Sequence, residues 1–253
     1  MENLKEITYT NDLNSNIFGW SGAFLCILFY LSPLIKIKKL CQGFLAYNQI
    51  PRLLLIFSFL NTLCWVSVQI LHINVDKKKT IFDEDGIIKL VFTDPQIIGN
   101  LISMIICIYF IICWLFHVFK SNKFKTIIFG FLIVIFAFTI IMLSFLFHSE
   151  SLYHKMNCLT STINTFMFLS TFEHIQKARQ KCDTKFIQLN TCLAMFSQSL
   201  IWFLYSLNQD NRNQKTEEIS FNLYLFIPNL IGILTALLNF YFFVDISVKS
   251  KLC

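Results

Sequence analysis

The segment Pro95-Gln96-Ile97-Ile98-Gly99 recurs later in the chain, at a sequence offset of 133, as Pro228-Asn229-Leu230-Ile231-Gly232. Each copy begins an apolar stretch that ends in an aromatic pair, Tyr109-Phe110 in the first and Tyr241-Phe242 in the second. Self-similarity at a long, fixed offset indicates that one structural unit occurs twice in the chain.

Two further pairs of features keep nearly the same offset. Trp65 and Trp202 are related by an offset of 137. Trp65 follows Pro51 by the same number of residues as Trp202 follows Gln188. Ser32-Pro33 and Ser170-Thr171 are related by an offset of 138. Three pairs at nearly constant offset predict two homologous units of three helices each.

The composition places these units in a membrane. The chain has 253 residues, of which 55% are hydrophobic and 14% charged, whereas soluble domains carry roughly 25% charged residues. This excludes a typical soluble enzyme and a nucleic-acid-binding domain. A spanning helix needs about 20 mostly apolar residues. Seven stretches fit that length: 16–35, 52–72, a part of 86–119, 126–147, 156–175, 186–207 and 221–246.

The distribution of charge predicts the orientation, since cytoplasmic loops are enriched in Lys and Arg. With the N-terminus outside, the inside segments hold 13 basic and 3 acidic residues, a net charge of +10. The outside segments hold 8 basic and 12 acidic residues, a net charge of −4. We therefore expect a multi-pass protein with an extracellular or lumenal N-terminus and a cytoplasmic C-terminus, in the plasma membrane or an endomembrane.

Three spans are an odd number, so a direct copy would insert upside down unless one further span restored its orientation. The fourth stretch fills that role and predicts an all-α fold of two parallel three-helix repeats joined by a linker helix. Parallel repeats place the substrate site near the midplane between them. The expected divisions are an N-terminal segment 1–15, a first repeat 16–119, a linker helix 120–150, a second repeat 151–247 and a tail 248–253.

Two motifs resemble the SWEET family of sugar transporters. Trp202-Phe203-Leu204-Tyr205-Ser206 is similar to the family's Trp-x-x-Tyr-Gly, and the segment from Phe226 to Gly232 is similar to its Pro-Asn-x-x-Gly. Ser32-Pro33 and Pro51 match the prolines of the first two spans. The resemblance implies passive, bidirectional transport of mono- or disaccharides by alternating access, in a homo-oligomer.

The chain departs from the family pattern at four positions. Thr171 and Gln188 stand where the family has its other two prolines, Gln96 replaces an asparagine, and Ser206 replaces a glycine. The resemblance is therefore to a divergent member.

Four residues are the candidate substrate-binding groups. The carboxamides of Asn229 and Gln96 can donate and accept hydrogen bonds to sugar hydroxyls. The indole rings of Trp202 and Trp65 can stack on a pyranose ring and donate one hydrogen bond. The alternatives are interhelical hydrogen bonds for the carboxamides and an aromatic belt for the tryptophans.

Pro33 and Pro51 are the predicted hinge points, because proline removes a helical hydrogen bond. A plain helix end is the alternative for both. Asp94 borders the third span and is a candidate for proton coupling or for an ordinary helix start.

The sequence predicts no enzymatic activity, no cofactor and no metal site, because catalytic motifs and metal-ligand spacings are lacking. Two other functions remain open. A PQ-loop carrier of amino acids or other small solutes would share the fold. A seven-helix receptor would share the orientation, but the seventh span lacks the Asn-Pro-x-x-Tyr motif.

Overall fold

The computed structural model describes residues 2–44, 50, 52–77, 95–121, 135–137, 139–140, 150–209 and 223–249. Its principal helices are α1 (Glu2–Leu31), α2 (Leu34–Cys41), α3 (Arg52–Lys77), α4 (Pro95–Ser121), α5 (Glu150–Leu169), α6 (Phe172–Lys181), α7 (Leu189–Gln209) and α8 (Leu223–Lys249). A 3₁₀ turn, Thr184–Phe186, precedes α7. Most of the predicted fourth span lies outside the described residues, which are helical at 135–137 and 139–140.

Four segments of the described chain are long and apolar enough to cross a membrane: Ile17–Cys41, Arg52–Leu71, Pro95–Lys120 and Leu223–Lys249. The predicted fifth and sixth spans correspond to α5 and α7, which have 20 and 21 residues but are less apolar. The reason is that both helices bury polar side chains against other helices, among them Asn157, Asn164, Thr191 and Gln198.

The first helix of each repeat is broken at the same place. The chain turns at Ser32-Pro33 between α1 and α2, and at Ser170-Thr171 between α5 and α6. Pro33 has φ −73° and ψ −7°, and Thr171 has φ −67° and ψ −19°. The Thr171 hydroxyl donates to the carbonyl of Phe168 at 2.8 Å, and such back-bonding bends helices. The two breaks therefore share one geometry although only the first contains a proline.

The packing order of the helices is the same in both repeats. The first triad consists of α1 with α2, α3 and α4, and α4 lies between α1 and α3. The second triad consists of α5 with α6, α7 and α8, and α8 lies between α5 and α7. The triads meet where α1 packs on α7 and where α3 packs on α5. These two interfaces are exchanged by a pseudo-two-fold rotation, as parallel repeats require.

Two satellite cores repeat this symmetry residue by residue. Beneath α2, the first core contains Ile37, Leu40, Leu55, Phe110 and Trp114. Beneath α6, the second contains Ile175, Ala178 and Cys192, with Phe243 packed against it. Ile37 and Ile175 are related by an offset of 138, as are Leu40 and Ala178. The same offset that relates the two helix breaks thus relates the buried side chains.

A third, larger core lies where the triads meet, next to the two helix breaks. Phe29 and Tyr30 precede the first break, and Met167 and Phe168 precede the second; all four are buried. The rings of Phe29 and Phe168 lie 6.3 Å apart, and the Tyr30 hydroxyl lies 3.5 Å from the Met167 sulfur. These contacts hold the triads together beside each break.

Candidate functional site

A cavity lies between the two triads and is lined by all six of their long helices. The empty space between its walls is about 360 Å³, counting the space open to solvent. The lining residues are Cys26, Asn61, Trp65, Gln96, Asn100, Asn164, Gln198, Trp202, Leu225 and Asn229.

Eight of these residues form pairs related by the repeat. At the motif offsets of 133, 137 and 138, the pairs are Cys26 with Asn164, Asn61 with Gln198, Trp65 with Trp202, and Gln96 with Asn229. The cavity therefore lies on the pseudo-two-fold axis, where neither triad encloses it alone.

All four predicted binding residues line this cavity. Trp65 and Trp202 are 9% and 6% exposed and pack together with Leu225. The Trp202 ring meets Tyr205 edge-on at 5.3 Å. Trp20 differs from both, because it is 47% exposed and does not line the cavity.

The place of Trp202 depends on a close approach of α1 to α7. A Cβ atom built on Gly22 would lie 2.9 Å from the indole ring of Trp202. That distance is shorter than side chains tolerate, so glycine at this position makes room for the indole ring. The position of the ring is therefore set jointly by both triads.

The cavity is rich in hydrogen-bond acceptors that have no donor. Among the described residues, four buried carboxamide oxygens lack a hydrogen-bond partner: those of Asn61, Asn164, Gln198 and Asn229. Leaving such a group unsatisfied costs about 1–3 kcal/mol. Since no described protein group donates to these four oxygens, they are available to a donor-bearing molecule that enters the cavity.

Two of these side chains are held in place through their amide nitrogens. Asn61 Nδ2 donates to the Tyr30 hydroxyl at 2.9 Å, and Asn229 Nδ2 donates to the carbonyl of Leu225 at 2.7 Å. In both asparagines the nitrogen is bound within the protein, and the oxygen is left as an acceptor.

Gln96 lines the cavity in a different state from its counterpart Asn229. Its side-chain oxygen accepts a hydrogen bond from Gln69 Nε2, and its backbone carbonyl accepts one from Asn100 Nδ2 at 2.9 Å. The additional methylene of glutamine lets the carboxamide reach α3. Asn229 thus leaves its side-chain oxygen as an open acceptor, whereas the glutamine at position 96 uses its side-chain oxygen in a hydrogen bond within the first triad.

The predicted hinge residues have different outcomes. Pro33 lies in the break between α1 and α2, while Pro51 and Asp94 lie outside the described residues. Each break is also bonded to the following helices. Thr191 Oγ1 lies 2.9 Å from Ser32 Oγ across the α1–α7 interface, and Asn239 Nδ2 donates to Thr171 Oγ1 at 2.9 Å.

Sequence reasoning missed several of the lining residues. Asn61 and Gln198 each stand four residues before a predicted tryptophan, and the offset of 137 relates them to each other. Extending the repeat from the tryptophans by one helical turn would have identified both. Cys26 also lines the cavity, together with its counterpart Asn164. No signal in the sequence placed it there.

No metal centre accompanies the cavity in the part of the chain that the structure describes, which contains no group of three or more His, Cys, Asp or Glu side chains able to hold an ion. The arrangement is a cavity between two parallel three-helix bundles, which is the architecture of membrane carriers built from such repeats.

Comparison with known proteins agrees with this class. Residues 154–251 match the sequence model of the family described as "Sugar efflux transporter for intercellular exchange". The fold is similar to the 3.7 Å structure of a eukaryotic SWEET transporter, with a TM-score of 0.67 and 17% sequence identity. The match covers 94% of this chain and 99% of that one. A comparison with curated proteins finds no significant match.

The chain is therefore similar to the SWEET family in sequence over residues 154–251, and to a SWEET transporter in fold over nearly its whole length. The predicted resemblance is confirmed, and so is the fold class of seven helices in a 3+1+3 arrangement. The family consists of transporters rather than enzymes, as the sequence predicted. The numerical domain boundaries remain a prediction.

Proposed function

We propose that the protein is a facilitative, bidirectional transporter of mono- or disaccharides. The two triads rock against each other around the shared cavity, so that it opens alternately to either side of the membrane. Sugar then moves down its own gradient without a coupled ion. The observation that carries the proposal is the set of four buried carboxamide oxygens to which no described residue donates, in a cavity lined by both triads.

A sugar supplies what this cavity lacks. Each sugar hydroxyl can donate to a carboxamide oxygen, and a carboxamide nitrogen can donate in return. In this proposal Asn229 binds sugar hydroxyls, while Trp65 and Trp202 offer aromatic faces to the C–H face of the ring. Gln96 contributes at the edge of the site, where its bond to Gln69 closes or opens with the cavity.

The helix breaks supply the flexible points of the mechanism. Pro33 and its counterpart Thr171 lie at the breaks, and we propose that Pro51 acts with them in the first triad. The N-terminus faces the outside or a lumen, and the C-terminus faces the cytoplasm. Assembly as a homo-oligomer is part of the same proposal.

The decisive experiment is uptake of labelled hexose and sucrose into vesicles that contain the purified protein. We expect at least one sugar to enter, and Asn229→Ala and Trp202→Ala to reduce its entry at least tenfold. Asn157→Ala is the matched control for Asn229, since Asn157 is also buried, also donates its amide nitrogen to a carbonyl of its own helix, and does not line the cavity. Trp20→Ala is the control for Trp202.

Three outcomes would contradict parts of the proposal. If neither sugar enters the vesicles, sugar transport is refuted, and entry of a labelled amino acid instead would favour the other carrier class. If both cavity variants transport normally, the site assignment is wrong. If transport requires an imposed pH gradient, uniport is refuted.

A further inference from the structure

The two interfaces between the triads are filled differently. Where α3 packs on α5, the rings of Phe57 and Phe166 stack at 5.8 Å with an angle of 22°. At the α1–α7 interface the repeat offsets place Leu28 opposite Ala194 instead. Two smaller side chains thus replace an aromatic pair, and the second interface is left incompletely filled.

An open groove lies at this underfilled interface. Its volume is about 890 Å³, counting the space open to the surroundings, and its walls are mostly apolar residues of α1, α2 and α7. Leu28, Leu34, Ile35 and Leu193 are between 41% and 58% exposed along it. Because Ile17–Cys41 is apolar enough to span a membrane, we expect this surface to face the lipid.

The dimensions of the groove match one leaflet of a bilayer. Its α1–α2 wall extends from Leu25 to Ile35, which is at most about 15 Å at a rise of 1.5 Å per residue, since the chain turns at Ser32-Pro33. The hydrocarbon core of a bilayer is about 30 Å thick. The groove therefore has the depth of a single layer of acyl chains.

Two lysines stand at the end of the groove. Lys38 and Lys39 follow Leu34 and Ile35 by four residues, so they continue the same face of α2 by one turn. Both are exposed, and neither forms an ion pair with another described residue. At the equivalent positions of α6 stand Gln176 and Lys177, and Lys177 is already paired with Glu173 at 2.6 Å.

We propose that this groove is a binding site for an anionic phospholipid. One acyl chain lies between α1 and α7, and the headgroup phosphate binds to Lys38 and Lys39. Basic residues at the cytoplasmic membrane surface attract anionic lipids, and the apolar groove adds a place for the chain. At the opposite interface the stacked rings of Phe57 and Phe166 occupy the equivalent place.

Lipid retention by the full-length protein tests this proposal without any measurement of transport. The purified protein is equilibrated in micelles with equal amounts of phosphatidylserine and phosphatidylcholine, and retained lipid is identified by native mass spectrometry. Each lysine contributes about a fivefold preference, so we expect the wild type to favour phosphatidylserine by roughly 25-fold. The double variant Lys38→Gln with Lys39→Gln should lose this preference.

A second variant tests the groove itself. Ala194→Phe introduces the side chain that fills the other interface and should abolish retention of either lipid. If this variant fails to fold, Leu28→Phe makes the same test from α1. Lys120→Gln with Lys249→Gln is the control, because it removes two charges from helices that do not line the groove, and it should retain the lipid.

The proposal is overturned if the wild type retains both lipids equally, or if the groove-filling variants retain phosphatidylserine as the wild type does. It is also overturned if the wild type is a dimer without bound lipid and Ala194→Phe makes it monomeric. In that case the groove binds a second copy of the chain.

Discussion

Replacement of asparagine by leucine should change the stability of the fold in opposite directions at two buried positions, 164 and 239. Asn164 lies in the cavity, is 4% exposed, and its oxygen has no partner among the described residues. Asn239 is 1% exposed, but its nitrogen donates to Thr171 Oγ1 at 2.9 Å and to the carbonyl of Thr235 at 2.8 Å. Leucine has nearly the shape of asparagine without its polar atoms, so Asn→Leu isolates the hydrogen bonding.

The expected magnitudes follow from this difference. Asn164→Leu removes an unsatisfied acceptor whose burial costs about 1–3 kcal/mol, and should stabilise the fold by up to that amount. Asn239→Leu removes two hydrogen bonds worth about 0.5–1.5 kcal/mol each, and should destabilise it by about 1–3 kcal/mol. At about 2–4 °C per kcal/mol, the two melting temperatures should move in opposite directions by several degrees.

Thermal unfolding of the two variants in the same detergent measures these shifts, and sugar uptake is measured in parallel. Asn164→Leu should be more stable and lose transport, because its oxygen is maintained for the substrate. A fall in melting temperature for Asn164→Leu equal to that for Asn239→Leu would refute the reasoning. The oxygen of Asn164 would then serve the fold.

Two further substitutions test the interface and the helix breaks. Gly22→Ala places a methyl group against the Trp202 ring and should lower the free energy of unfolding by about 1–3 kcal/mol through overpacking, measured by thermal unfolding. Trp202→Phe in the same chain should recover part of this loss. If the effects of the two substitutions on stability simply add, the contact between Gly22 and Trp202 is contradicted. Thr171→Pro restores a proline at the second break, where φ −67° already suits proline. It should fold at a cost of about 1–3 kcal/mol, because it loses the hydroxyl contacts of Thr171 and its backbone hydrogen bond to Phe168. A collapse of helicity in circular dichroism would show that the two breaks are not equivalent.

Much of the fold could be predicted from the sequence because the repeat consists of features that are local along the chain. Proline, paired aromatic residues and long apolar stretches act through backbone geometry and transfer into lipid, which depend little on distant contacts. The offset of Pro95 from Pro228 therefore predicted the parallel arrangement. The less apolar α5 and α7 could also be predicted as spans, since their polar residues are spaced among apolar ones.

The candidate site was predicted only in part, for a physical reason. The polar atoms of a carboxamide or an indole are costly to place in a membrane span, so such residues are uncommon there and can be recognised in the sequence. Asn229 and Trp202 could be identified on this basis. Whether an amide oxygen then finds a donor depends on neighbours from other helices. Gln96 has Gln69 as a partner and Asn229 Oδ1 has none among the described residues, a difference that the repeat alone does not predict.

The sequence by itself thus determined the class of protein, the two repeats and four of the residues that line the cavity, because hydropathy and repeat offsets are properties of the chain. Only the tertiary structure decided which carboxamide oxygens stay unpaired and that Thr171 bends its helix as Pro33 does. It also decided that one interface between the triads is filled while the other is open. Each of these depends on side chains from different helices meeting around the pseudo-two-fold axis, where small differences such as Ala194 in place of phenylalanine decide the packing.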